Sequence, residues 1–150
     1  MIRGIFFRAL PGKNILWQIF KCIDVEKYSW HNILSQNEVL ANYSGGIFFD
    51  ADYYDGKTFL QNIISEYFII FLKLQAYFEG GKFYDIHTCE EFLKSDCQLI
   101  LFVYDCEYVE IYAKDEKDIK AIYENVLTLN YTEVKYITES NYSRTKMDIL

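Results

Sequence analysis

Basic residues, proline, glycine and long apolar runs are all scarce in this chain of 150 residues. Lysine and arginine number 15 against 22 aspartates and glutamates, for a net charge of −7, and arginine stands only at Arg3, Arg8 and Arg144. Proteins that bind polyanions do so through clustered cations that displace counterions. Here the lysines are scattered singly, so neither nucleic acid nor an anionic membrane is an expected partner. The one proline, Pro11, and seven glycines leave no room for collagenous, linker or low-complexity segments. The most apolar run, Tyr67 to Leu72, is far shorter than the roughly 20 residues that span a bilayer. The opening MIRGIFFRALPG carries two arginines within its apolar run and no small-residue cleavage site, so it does not read as a signal peptide. There is no internal repeat, P-loop, serine elbow, dinucleotide fingerprint or C-x₂-C pair.

What the chain has in quantity is apolar surface. Hydrophobic residues make up 51% and aromatics 19%, enough to offset the entropy of ordering the chain. Residues 1–150 are expected to form a single domain. The four cysteines, Cys22, Cys89, Cys97 and Cys106, accompany no secretory signal. A cytoplasmic setting would keep them reduced, and small buried thiols are the expectation.

The clearest patterning runs from Gln98 to Thr138. Leu99 to Val103 is apolar on both faces, as in a central strand. Asp105-Cys106 stands where a hairpin turn belongs, although it is not a favoured two-residue loop. Glu107 to Ala113 alternates, with Val109, Ile111 and Ala113 toward the core and Tyr108, Glu110 and Tyr112 away from it. Asp115 reads as a helix N-cap, with Asp118 in the capping-box position. Ile119, Ile122, Tyr123, Val126 and Leu127 form one buried stripe, and Asn130 ends the helix. Thr132, Val134 and Tyr136 line the inward side of a last strand.

Upstream, Ile2 to Leu10 reads as an edge or near-edge strand, and Asn14 to Ile23 as a helix. Tyr28 to Leu34 and Ile47 to Phe49 suit short strands, and Asn42 to Gly46 a turn. Lys57 to Glu66 reads as a helix. Tyr67 to Glu79 reads as a long strand, with Leu72, Leu74, Ala76 and Phe78 inward and Lys73, Gln75, Tyr77 and Glu79 outward. Phe83 to Ile86 suits one more strand, and Thr88 to Leu93 a short helix. The sum is an α+β fold: an antiparallel or mixed sheet with helices mainly on one face and a C-terminal β-hairpin–α–β unit.

The blocks SDCQLILFVYDCEYVEIYAKD and KYITESNYSRTKM, with RGIFF and YFIIFLKLQAYFEG, resemble a family of small bacterial proteins. These come mainly from spore-forming Gram-positive species and are known only as a domain of unknown function. The resemblance covers nearly the whole chain. It implies a shared shape and carries over no residue roles, for the Arg144 block as for the rest.

Three constellations bear on chemistry. The acidic loop DADYYDG offers Asp50, Asp52 and Asp55 to calcium, but counted from Asp50 the EF-hand pattern fails at Tyr54, Asp55 and Gln61, so a solvated loop is the preferred reading. His87, Cys89, Cys97 and Cys106 could gather around zinc, yet lack paired spacing. Cys89 at a helix start, two residues from His87, is the one candidate for a nucleophile and base, opposed by Glu90 and Glu91. The remaining feature is the face of Tyr108, Glu110 and Tyr112 beside Glu133. It is either an ordinary half-covered sheet surface or an acidic, tyrosine-rich recognition patch. The sequence therefore points to a non-catalytic cytoplasmic binding or regulatory module of inhibitor or immunity type. It would need no cofactor and would act on a protein or small ligand. The alternatives are a small cysteine-dependent enzyme and a structural homo-oligomer.

Overall fold

The computed structural model describes residues 2–41, 45–140 and 146–149. The turn expected at Asn42–Gly46 and the block around Arg144 each lie partly outside the described residues, and Arg144 itself lies outside them. Strands β1 (Ile2–Arg8), β2 (Ser29–Asn32), β3 (Glu38–Ala41), β4 (Gly46–Ile47), β5 (Tyr53–Tyr54), β6 (Tyr67–Tyr77), β7 (Cys97–Tyr104), β8 (Tyr108–Ala113) and β9 (Thr132–Thr138) form one sheet. The helices are α1 (Ile15–Phe20), α2 (Gly56–Ile63), α3 (Cys89–Lys94) and α4 (Glu116–Thr128). The order β4-β3-β6-β7-β8-β1-β9, with β2 and β5 branching from β6, is antiparallel at every pairing. The fold is thus the expected α+β domain, and β1 is a near-edge strand.

β7 is central because it has no polar side to show. Leu99, Ile100, Leu101, Phe102 and Val103 are all fully buried, between β6 and β8. The turn at Asp105-Cys106 holds both residues at positive φ, 50° and 66°, the geometry that matches the twist of a tight hairpin. The face bearing Leu72, Leu74, Ala76, Val109, Ile111 and Ala113 meets α1, α2 and α4 in the main core. Within it Trp30 stacks on Phe59, centroids 4.4 Å apart, and donates its indole N–H to Val25 O at 3.1 Å. Gly56 starts α2 where a Cβ would lie 2.5 Å from the carbonyls of Glu26 and Tyr28, so only glycine lets these backbones meet.

Several elements depart from expectation for local reasons. β3 and β5 have no periodic signal and form by pairing with β6 and β2. Phe49 is buried outside a strand, and Ile47 stays exposed on the edge strand β4. β6 ends at Tyr77, so Phe78 is half exposed and stacks on Tyr28 rather than entering the core. Asp115 caps α4 by accepting from Lys117 N at 2.9 Å. Asp118 does not complete a box. Its buried carboxylate accepts from Tyr28 Oη at 2.7 Å and pairs with Lys27 at 3.0 Å.

The largest departure concerns the second face. Lys73, Gln75 and Tyr77 do point away from the main core, yet all three are buried. Residues 82–88 form no strand. They cross this face as an extended strap held by side chains of β6. Gln75 Oε1 accepts from Ile86 N at 3.0 Å, and Gln75 Nε2 donates to Tyr84 O at 2.8 Å. Tyr77 Oη accepts from Tyr84 N and donates to Tyr84 O. Lys73 Nζ donates to Ile86 O and pairs with Asp85 at 3.2 Å, its side chain 2% exposed. Asp85 also accepts from Gln36 at 3.1 Å.

Two outcomes follow for stability. Gln75→Leu strands polar groups of the buried strap backbone and is expected to lower the unfolding free energy by about 2–3 kcal/mol in urea titration. Cys106→Gly removes a β-carbon from a left-handed position and is expected to raise it by about 0.5–1 kcal/mol in the same measurement.

Candidate functional site

A second, smaller apolar cluster lies beneath the strap: Tyr77, Ile86, Phe92, Ile100, Tyr112 and Met147 are among its buried members. α3 is set upon it by Thr88, whose Oγ1 accepts from Glu91 N and donates to Glu91 Oε1, both at 3.1 Å. Thr88 is thus the N-cap of α3, its hydroxyl also tied to the Glu91 carboxylate. The chain end packs beside it. Lys146 bridges to Thr88, Met147 N donates to His87 O at 2.8 Å, and Asp148 Oδ1 lies 2.7 Å from His87 Nδ1. Met147 is wholly buried.

Between α3, the end of β8 and this tail lies a cavity of about 260 Å³. Among the described residues, Phe92, Tyr112 and Met147 form its buried wall, with Ile2 and the half-exposed Leu93 completing the apolar lining. Cys89 also lines it, and Arg3, Lys114 and Glu116 are its charged residues among those described. Arg3 is paired with Glu139 at 3.1 Å.

The residues singled out from sequence fare differently. Tyr112 and Glu110 are 2% and 8% exposed, and Tyr112 Oη donates to Glu110 Oε1 at 2.6 Å. The face expected to be open is therefore buried at these two residues, and Tyr112 lines the cavity with Phe92 of α3 and Met147 of the tail. Tyr108 is half-buried, stacked on Tyr104 and Phe6 with Arg8 above its ring. Exposed Glu133 joins this group through Arg8, 3.8 Å away. Tyr108 and Glu133 are thus brought together, apart from the buried Glu110–Tyr112 pair.

Cys89 and His87 share the α3 region but do not form a dyad. The His87 ring nitrogens face carboxylates, Nδ1 toward Asp148 and Nε2 toward Asp85 at 3.4 Å. The Asp148 hydrogen bond holds the His87 imidazolium above its ordinary pKa, aided by Asp85. Four free cysteines stand where sequence expected buried thiols, yet only Cys97 is buried; Cys22 and Cys106 are exposed. Burial pushes the Cys97 thiol up to about 12. The acidic loop is engaged locally: Asp50 accepts from Tyr54 Oη at 2.6 Å, Asp52 from Leu34 N at 2.9 Å, and Asp55 caps α2 by accepting from Thr58 N at 2.7 Å. Among the described residues no three His, Cys, Asp or Glu side chains converge as a metal site. No helix there is long and apolar enough to cross a membrane.

Sequence reasoning missed Phe92, Lys114 and Met147. Thr88-x-x-Glu91 carried the signal for α3. Nothing periodic marked the strap or the tail that turn α3 into a cavity wall.

The family model described as "Protein of unknown function (DUF2691)" matches residues 2–148. An "Uncharacterized protein YncE" of Bacillus subtilis (strain 168) is 31% identical over 154 residues, covering 99% of this chain and 100% of that protein. No solved structure matches the chain.

The tail contact titrates. His87 has a raised folded pKa, so protonation favours the clasp with Asp148. The clasp is complete below the unfolded value and weakens as pH rises through the folded one. The side chain is 48% exposed, so solvent screening keeps the effect modest. The hydrogen-exchange protection factor of the Met147 amide is expected to fall by a few-fold, roughly, across that range. In Asp148→Asn the dependence is expected to flatten.

Proposed function

The chain belongs to the family described as Protein of unknown function (DUF2691), and within it we propose a non-catalytic binding module whose ligand occupies the cavity beside α3. The observation that carries this reading is an apolar-lined cavity of about 260 Å³ in a chain with a net charge of −7. An apolar cavity of about 150 Å³ is enough to bind benzene, whereas drug-sized ligands use about 300–1,000 Å³. The ligand is accordingly a molecule of one or two rings or a short branched chain, too small for a dinucleotide.

The binding reading is preferred over a cysteine enzyme because His87 turns both ring nitrogens to carboxylates. A nucleophile needs its base within hydrogen-bond reach. A recognition patch on the outer surface has less support, since Tyr112 and Glu110 are covered and only Tyr108 and Glu133 remain toward solvent. The four free thiols support a reducing compartment, and the cytoplasm is part of the same proposal.

Methionine occurs only twice in the chain, so the Met147 methyl is readily assigned by NMR. Indole and phenylacetate are expected to shift that resonance saturably and to raise the melting temperature with concentration. Cys89→Phe, which fills the cavity, is expected to abolish both responses. A Met147 resonance indifferent to every one- and two-ring probe would sink the proposal.

A further inference from the structure

We propose that the ligand of this cavity is a small apolar monocarboxylate, its carboxylate seated on Lys114 and its body against Phe92 and Met147; this rests on the reading of the cavity as a binding site. Lys114 is fixed between the end of β8 and the start of α4 by its backbone N–H, which donates to Gln98 O at 3.0 Å. Its Nζ donates to Ser95 O and lies 5.3 Å from the centroid of Phe92. An ammonium has three donors, and one carbonyl occupies one of them. Burial draws the Lys114 pKa down, and the charge of Asp96 opposes this only in part. No carboxylate of the described residues lies within ion-pair distance of it.

The other charged groups sharpen the contrast. Lys73, the more deeply buried lysine, is given Asp85 as a partner. Arg3, in the same cavity, is paired with Glu139. Glu116 stands in the first turn of α4, where a negative charge is favoured by the helix itself. Among the described residues lining the cavity, Lys114 is the cation that combines partial burial, spare donors and no carboxylate at ion-pair distance. A partly buried cation lacking a counter-ion carries a cost, and a ligand carboxylate is a group that relieves it with charge-assisted hydrogen bonds. With Arg3 already paired to Glu139 and Glu116 repelling a second negative group, the mainly apolar lining favours a ligand with one charged end over sugars and polyphosphates.

The test compares phenylacetate with phenylacetamide, which share shape and differ in charge, by calorimetry and by the Met147 methyl shift in the full chain. The acid is expected to bind about tenfold more tightly, or about 1.4 kcal/mol. Lys114→Met is expected to bring the acid down to the affinity of the amide, and Lys114→Arg to keep the preference. Equal binding of acid and amide by the parent protein would overturn this assignment and leave the cavity reading standing. Binding of neither would remove both. Because the decisive comparison uses the parent protein, a variant that fails to fold does not obscure it.

Discussion

The structure depends on a row of polar side chains where a sheet would ordinarily end its burial. On β6, Lys73, Gln75 and Tyr77 alternate with Leu72, Leu74 and Ala76. Left open, that row would be an ordinary solvated sheet surface, the outcome that alternation alone suggests. Instead each polar group binds the backbone of residues 84–86. A strap that cannot pair as a strand thereby has its buried N–H and C=O groups satisfied. Once the strap is fixed, α3 has a surface to pack on, the tail has a partner in residues 87 and 88, and a cavity forms among them.

Two cores result, with different characters. The main one is large, continuous and dominated by aromatic stacking among Phe20, Trp30, Phe49 and Phe59. The smaller one is roofed by a six-residue helix and a chain end rather than by long helices. Stability is not uniform across such a structure, and thinly covered regions open first. The cavity lies in this thin layer, so the proposed ligand would enter it without disturbing the sheet.

The part of the fold most legible in sequence was Gln98 to Thr138, because several local signals agreed there. A strand apolar on both faces, an alternating strand, a capped stripe and a stop residue all named the same unit. β3 and β5 were not legible, since each exists only through pairing with a distant strand. Asp118 misled for a similar reason: its position suits a cap, and only the fold brings Lys27 and Tyr28 to it. The site was legible in half. Alternation correctly turned Tyr112 and Glu110 away from the main core, but the neighbours that meet Tyr112 come from a short helix and a polar tail. Lys114 was invisible as a site residue, being one lysine in a turn until Ser95 and Phe92 surround it.

The last strand has a further consequence. β9 forms one edge of the sheet, and its register against β1 slips between Phe6 and Arg8, where Glu133 adopts φ of 57°. A bulge with a charged residue at its apex breaks the even row of donors and acceptors that another chain would need in order to add a strand. In a chain so rich in aromatic residues, an interrupted edge of this kind is a poorer template for strand addition than a flat one.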